Sequence, residues 1–189
     1  MRTRNPRLRQ LPESEFDTEQ EEVSAPLREQ GPLLNASRTL IRHPKAQAAF
    51  RVWTSHVMEG STLEARHREI VALRVAWNVK AGYMWGQHVL RAEQAGLSAE
   101  EMDALKKPVE AHDWPGAESA LIRAVDSLVR EIFIPDDVWG QLASHFSERQ
   151  CMDVILGCGH FIMLGMFLNT AGVEIDPEVP ADPDLEKFG

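Results

Sequence analysis

The sequence predicts an all-α protein, and three observations carry that expectation. Apolar residues recur at three- and four-residue steps through most of the chain. Helix start and stop signals bracket those segments: Ser98 with Glu101 three residues on, Ser147 with Gln150, and glycine at Gly96. Aromatic content is low at 7%, and only 12 glycines occur.

Taken in order, residues 1–16 carry four arginines in the first nine positions without any period, and are expected to form a flexible basic arm. No aromatic residues interleave with these arginines and the body behind them is acidic. The arm therefore reads as a loose tail or a strap on a neighbouring subunit rather than a nucleic-acid contact. Residues 17–29 predict an acidic helix ended by Gly31–Pro32. Leu33–Ile41 predicts a short helix with Asn35 as N-cap. His43–Pro44 breaks it, because the residue before a proline is pushed out of the helical region. Pro44 then opens a helix that Gly60 closes, with Phe50, Trp53 and Val57 turned inward. His56 on that helix is either a site residue or a polar-rim histidine.

The chain is organised around a central antiparallel helix hairpin, about 62–96. Ser61 or Thr62 caps its first helix, with Glu64 in capping-box range. Ile70, Leu73, Val75, Ala76 and Trp77 form the apolar side of that helix, and the break falls near Val79–Lys80. Tyr83, Met84, Val89, Leu90 and Ala92 form the apolar side of the second. A capped helix follows from Ser98, then a loop over 108–116. A strongly periodic helix over 117–133 rests on Leu121, Ala124, Val125, Leu128 and Ile132. Pro135–Asp136 restarts the chain into a further helix. The last helix, about 147–170, is apolar nearly all round and is expected to be the buried central strut. One domain over 17–175 is expected, with an extended acidic Pro-rich tail over 176–189.

A net charge of −9 argues against a general phosphate-binding surface, so no nucleic-acid partner is expected. No uninterrupted apolar run approaches the roughly 18–20 residues of a membrane span, so no membrane association is expected either. Cys151 and Cys158 lie seven apart on one helix, about 10 Å along its axis, which is beyond disulfide reach. Two reduced, buried thiols fit a cytoplasmic protein. Glu64-x-x-His67 occurs without a second such half, no histidine pair has zinc-ligand spacing, and no phosphate loop or serine elbow appears. No metal and no cofactor are expected.

The informative anomaly is an acid and an imidazole set into apolar helix faces. Glu69 and His88 are nineteen apart on helices joined by a tight turn, so they can meet across the antiparallel seam. A carboxylate that accepts from one ring nitrogen fixes the tautomer and leaves the other nitrogen to carry a proton. Tyr83 offers a hydroxyl to a developing enolate, and the helix start near Ala81 favours a carboxylate. Arg66, Arg68 and Arg74 offer countercharge, Trp85 a packing surface, and His160 a ring that either lines the pocket or sits in the core. Asn169 is either a pocket amide or part of a helix cap. Two readings of the pair stand side by side: a proton-transfer site, and a buried tie between two helices.

The segments REIVALRVAWNVKAGYMWGQHVLRAEQAGLS and FIMLGMFLNTAGVEIDP resemble the carboxymuconolactone decarboxylase family, which includes the alkylhydroperoxidase D-like proteins. The resemblance implies an all-α fold and assembly into trimers, or hexamers built from trimers. It aligns Glu69 and His88 with the family's glutamate and histidine. The two cysteines of the family's peroxidase branch fall at Ala81 and Met84, so thiol peroxidase activity is expected to be absent. The pattern Tyr83-x-Trp85-x-x-His88 matches the cysteine-free branch. That implies His88 as acid/base, Glu69 as its orienting partner and Tyr83 on the enolate, in a cofactor-free decarboxylation of a small lactone or unsaturated acid. Trp85, Arg74, His56, His160 and Asn169 would bind the substrate. Lactone hydrolysis, dehydration or isomerisation by the same pair is the enzymatic alternative, and a small-molecule-binding or assembly scaffold the non-catalytic one.

Overall fold

Eight consecutive residues, Glu69 to Ala76, are buried in the computed structural model, which describes residue 3 and residues 5–187. They belong to α4 in the helical order α1 (Thr18–Arg28), α2 (Asn35–Leu40), α3 (Pro44–Ser55), α4 (Ala65–Asn78) and α5 (Gly82–Gln94). α6 (Ala99–Ala104), α7 (Gly116–Glu131), α8 (Asp136–His145), α9 (Glu148–Ala171) and α10 (Pro183–Glu186) complete it. Among the described residues there is no strand. α4 packs against α5, α7 and α9, so it is covered on every side and can carry an almost continuous buried run.

The α4–α5 turn is tight because Lys80 adopts a left-handed conformation, φ 56°. The Ala81 N–H then reaches back to the Ala76 carbonyl at 2.8 Å, closing the helix end. α9 crosses this corner at Gly165, where a Cβ would lie 2.8 Å from Val79 Cγ2. Asn169 Nδ2 donates to the Val79 carbonyl at 3.0 Å and fixes the same corner.

α9 buries one face, through Val154, Cys158, Phe161 and Leu168, and leaves the other uncovered. Met152, Ile155, Leu156, Met163 and Met166 are 39–60% exposed along that outer face. Uniform apolarity therefore did not translate into uniform burial; α4 is the strut enclosed on all sides. By length and composition alone α9 could cross a membrane, with a mean hydropathy of 1.8. Its inner face nonetheless packs on α4, α7 and α8 as a core helix does.

Three helix ends differ from the sequence expectation. α4 has Glu64 at its N-cap with no side-chain cap, because Thr62 N and Oγ1 are taken by Asp153 of α9 at 2.6 and 2.7 Å. Asn35 is the first residue of α2 rather than its cap, and Asp176 accepts from its N–H at 2.8 Å. Ile132 leaves α7 in the left-handed region, φ 57°, and stands 77% exposed. Leu90 also turns outward, while Trp85 takes an inward position on α5.

The termini are tied to the body. Arg7 N and Leu8 N both donate to the Ala171 carbonyl, and Leu11 is buried against α2. Arg42 Nε donates to the Arg9 carbonyl at 2.9 Å, so within residues 5–16 the arm expected to be loose lies on its own chain. Positions 1, 2 and 4 of that arm lie outside the described residues, as do positions 188 and 189 of the tail. The tail is not simply extended: it forms α10, buries Leu185 and crosses α5 at Gly86, where a Cβ would collide with the Pro180 carbonyl.

Candidate active site

α4 and α5 run antiparallel from their tight turn, which brings Glu69 and His88 face to face. Glu69 Oε2 lies 2.6 Å from His88 Nδ1, with both side chains buried. With Glu69 ionised, Nδ1 carries the shared proton and Nε2 holds the free lone pair. Among the described residues nothing bonds to Nε2. Arg68 Nε stands 3.5 Å from Glu69 Oε1, so the carboxylate sits between a guanidinium and an imidazole. Phe161 meets the His88 ring edge-on, with centroids 5.1 Å apart, and fixes its plane.

The chain reaches this pair through a five-residue π turn, His56–Gly60, that follows α3. Such turns are rare and concentrate at functional sites. The π turn, α4 and α5 enclose a broad depression of about 500 Å³ lined by Met58, Glu59, Arg68, Glu69 and Arg91. Glu69 is therefore the member of the pair that lines this opening. A cleft of about 220 Å³ along α3 shares Met58, Glu59 and Arg91 with it.

The other residues singled out from the sequence fall in different places. The Tyr83 hydroxyl donates to Asp176 in the tail and accepts from Ala36 N at 3.3 Å. Burial, then the Asp176 carboxylate, pushes its pKa well above the ordinary tyrosine value. Trp85 packs edge-on against Trp77 beneath Lys106. Arg74 is held bidentate by Asp126 at 2.6 and 2.7 Å and donates to the Leu105 and Lys107 carbonyls, so it carries no free countercharge. His56 is half-exposed on Trp53, 3.8 Å from Asp153. His160 stacks on Phe50 at 5.1 Å, and burial, then His88, holds its pKa down at about 4. Asn169 bridges to Val79, as described, and lines a small crevice beside Tyr83.

Of the three arginines the sequence offered as countercharge, Arg68 is the one beside Glu69; sequence reading passed over Phe161 against His88, and Asp176. Asp176 falls in the stretch that the sequence suggested only as an extended acidic tail. Cys151 and Cys158 are buried, unpaired thiols, and burial pushes Cys158 up to about 12. They are poor nucleophiles as they stand.

The sequence profile described as the carboxymuconolactone decarboxylase family matches residues 44–126, the span from α3 through most of α7. Over that segment, less than half of the chain, the sequence is similar to the carboxymuconolactone decarboxylase family. Both members of the Glu69–His88 pair lie within the matched segment, and neither Cys151 nor Cys158 does. No curated protein matches the chain. Among solved structures, a peroxidase-related protein from Silicibacter sp. TM1040 is similar with a TM-score of 0.78 at 18% identity, covering 93% of this chain and 96% of that one. An alkylhydroperoxidase AhpD core protein from Ralstonia eutropha JMP134 gives 0.77 at 15% identity, over 90% and 94%. The debrominase Bmp8, in complex with 2,3,4-tribromopyrrole, gives 0.77 at 15% identity, over 93% and 94%. At these identities the likeness concerns the fold, which is the AhpD-like helical one.

Proposed function

We propose that this protein is an acid/base enzyme of the carboxymuconolactone decarboxylase type acting on a small lactone or unsaturated carboxylic acid, without a cofactor and without thiol peroxidase activity. The observation that carries the reading is the buried 2.6 Å contact between Glu69 Oε2 and His88 Nδ1, which leaves Nε2 unpaired. In a decarboxylation, the bond from carbon to the carboxylate breaks, CO2 leaves and the electron pair becomes a dienolate. His88 Nε2 takes up a proton from water and delivers it to that dienolate, while Glu69 stabilises the intervening imidazolium and fixes the ring. Arg68 and Arg91 supply positive charge at the opening. Tyr83, committed to Asp176, enters as a positioning residue. Lactone opening or isomerisation by the same pair needs no other group.

The peroxidase half of the reading rests on chemistry: Ala81 and Met84 offer no thiol, and the two cysteines present are buried on α9. The bound ring in the Bmp8 complex supports a ligand of similar size. A homo-oligomer, trimeric or hexameric, would cover the exposed methionines of α9, and a cytoplasmic location would keep both thiols reduced.

The test is a panel of small lactones and unsaturated acids, followed by proton NMR and CO2 release, with His88→Asn as control. Turnover lost in His88→Asn, together with absent cysteine-dependent peroxide reduction, supports the reading. Turnover that survives His88→Asn, or peroxide reduction that vanishes on cysteine substitution, sinks it.

A further inference from the structure

The 220 Å³ cleft beside α3 is lined by residues with buried polar atoms that find no partner among the described residues. Gln47, Phe50, Arg51, Thr54 and Met58 recur at helical spacing on one face of α3 and continue into the π turn, and all line it. Gln47 is 4% exposed, and among the described residues its Oε1 has no hydrogen-bond partner. Thr54 Oγ1, one and a half to two turns on, is buried and unpartnered as well. Buried polar atoms are rarely left unpaired, so two on cleft-lining residues of one helix face call for a polar partner. The walls are apolar: Phe50, Leu40, Leu164 and Phe167. Arg91 stands exposed where the cleft meets the depression that Glu69 lines.

A continuous row of rings joins cleft to reaction centre. Phe50 stacks on His160, His160 packs against Phe161, and Phe161 meets His88, each at 5.1–5.2 Å between centroids. The volume exceeds the about 150 Å³ that accommodates benzene, so it holds one substituted ring and not a long chain.

We infer that this cleft binds the body of the substrate, a cyclic or aromatic carboxylic acid whose far end carries a hydroxyl or carbonyl. That far group pairs with Gln47 and Thr54, the ring lies between Phe50 and Phe167, and the carboxylate points to Arg91 and Glu69's opening. The reacting end rests on the acid/base reading proposed above; binding in the cleft does not.

The probe is 3-(4-hydroxyphenyl)propionate, titrated by calorimetry against the full chain, with 3-phenylpropionate and 4-propylphenol as comparisons. A ring acid of this size is expected to bind at about millimolar Kd or tighter. Gln47→Leu weakens the hydroxylated acid about tenfold and leaves 3-phenylpropionate within about twofold. Arg91→Gln weakens both acids but not the phenol. Leu164→Trp, which fills the cleft, abolishes binding of all three, while His88→Asn leaves it unchanged. No binding at about 10 mM, or binding indifferent to both Gln47→Leu and Leu164→Trp, overturns the inference. Turnover of small lactones that survives Leu164→Trp overturns the cleft and spares the acid/base reading. Probe binding with no turnover of any compound does the reverse.

Discussion

Glu69 Oε2 lies 2.6 Å from His88 Nδ1 across the α4–α5 seam, and both side chains are more than nine-tenths buried. Two helix-packing partners of this kind can serve stability or proton transfer, and substitution separates the two. Glu69→Gln keeps an acceptor for Nδ1–H but removes the charge that stabilises an imidazolium. Turnover is expected to fall about 10²–10⁴-fold, with unfolding free energy lowered by no more than about 1–2 kcal/mol. Steady-state rates and urea denaturation on the same preparation decide it. Collapse of the fold with no rate effect in the surviving fraction would leave only a structural tie.

Tyr83 holds the C-terminal tail instead of reaching the pair. Its hydroxyl donates to Asp176, which also accepts from Gln87 Nε2 and caps α2 through Asn35 N. Tyr83→Phe removes one hydrogen bond to a buried-side carboxylate, and about 1.5–3 kcal/mol of stability is expected to go with it. Hydrogen exchange over residues 174–187 should rise in the same variant. A large drop in turnover with unchanged stability and exchange would return Tyr83 to the chemistry.

Arg74 is a structural cation. The residue is 6% exposed, and its guanidinium donates to Asp126 and to two carbonyls that follow α6. Arg74→Met leaves Asp126 with Asn78 Nδ2 as its remaining side-chain donor and is expected to cost about 3 kcal/mol. The double variant Arg74→Met/Asp126→Leu recovers part of that loss, because neither charge is then left alone. Thermal melts of both, with KM unchanged within about twofold in the double variant, check the assignment; a KM rise that tracks Arg74 alone would point to substrate contact.

What the sequence made legible was local. The hairpin and its pair could be read because period, cap and break lie within thirty-five residues, and because a carboxylate and an imidazole on apolar faces are rare. What it hid was distant. Arg74 finds Asp126 fifty-two positions away, and Tyr83 finds Asp176 ninety-three positions away, with no local pattern to announce either contact. The same holds for Asp153, which takes Thr62 from its expected capping role. Composition also cannot say which side of an apolar helix is covered, and so α9 and α4 exchanged places as the fully enclosed strut.

His160 gives a pH dependence whose direction follows from its surroundings. The ring stacks on Phe50 and meets Phe161 edge-on, and burial, then the neighbouring His88, holds its pKa at about 4 against an ordinary value near 6.5. The folded state therefore binds its proton less readily than the unfolded chain. Stability from this residue is complete above about pH 6.5 and is lost as pH falls from there towards 4, by up to about 3 kcal/mol. His160→Phe keeps a ring between the same neighbours and removes the titration. Urea midpoints at pH 7 and pH 5 should then differ less in His160→Phe than in the parent chain. An equal acid loss in both proteins would assign that sensitivity to other groups.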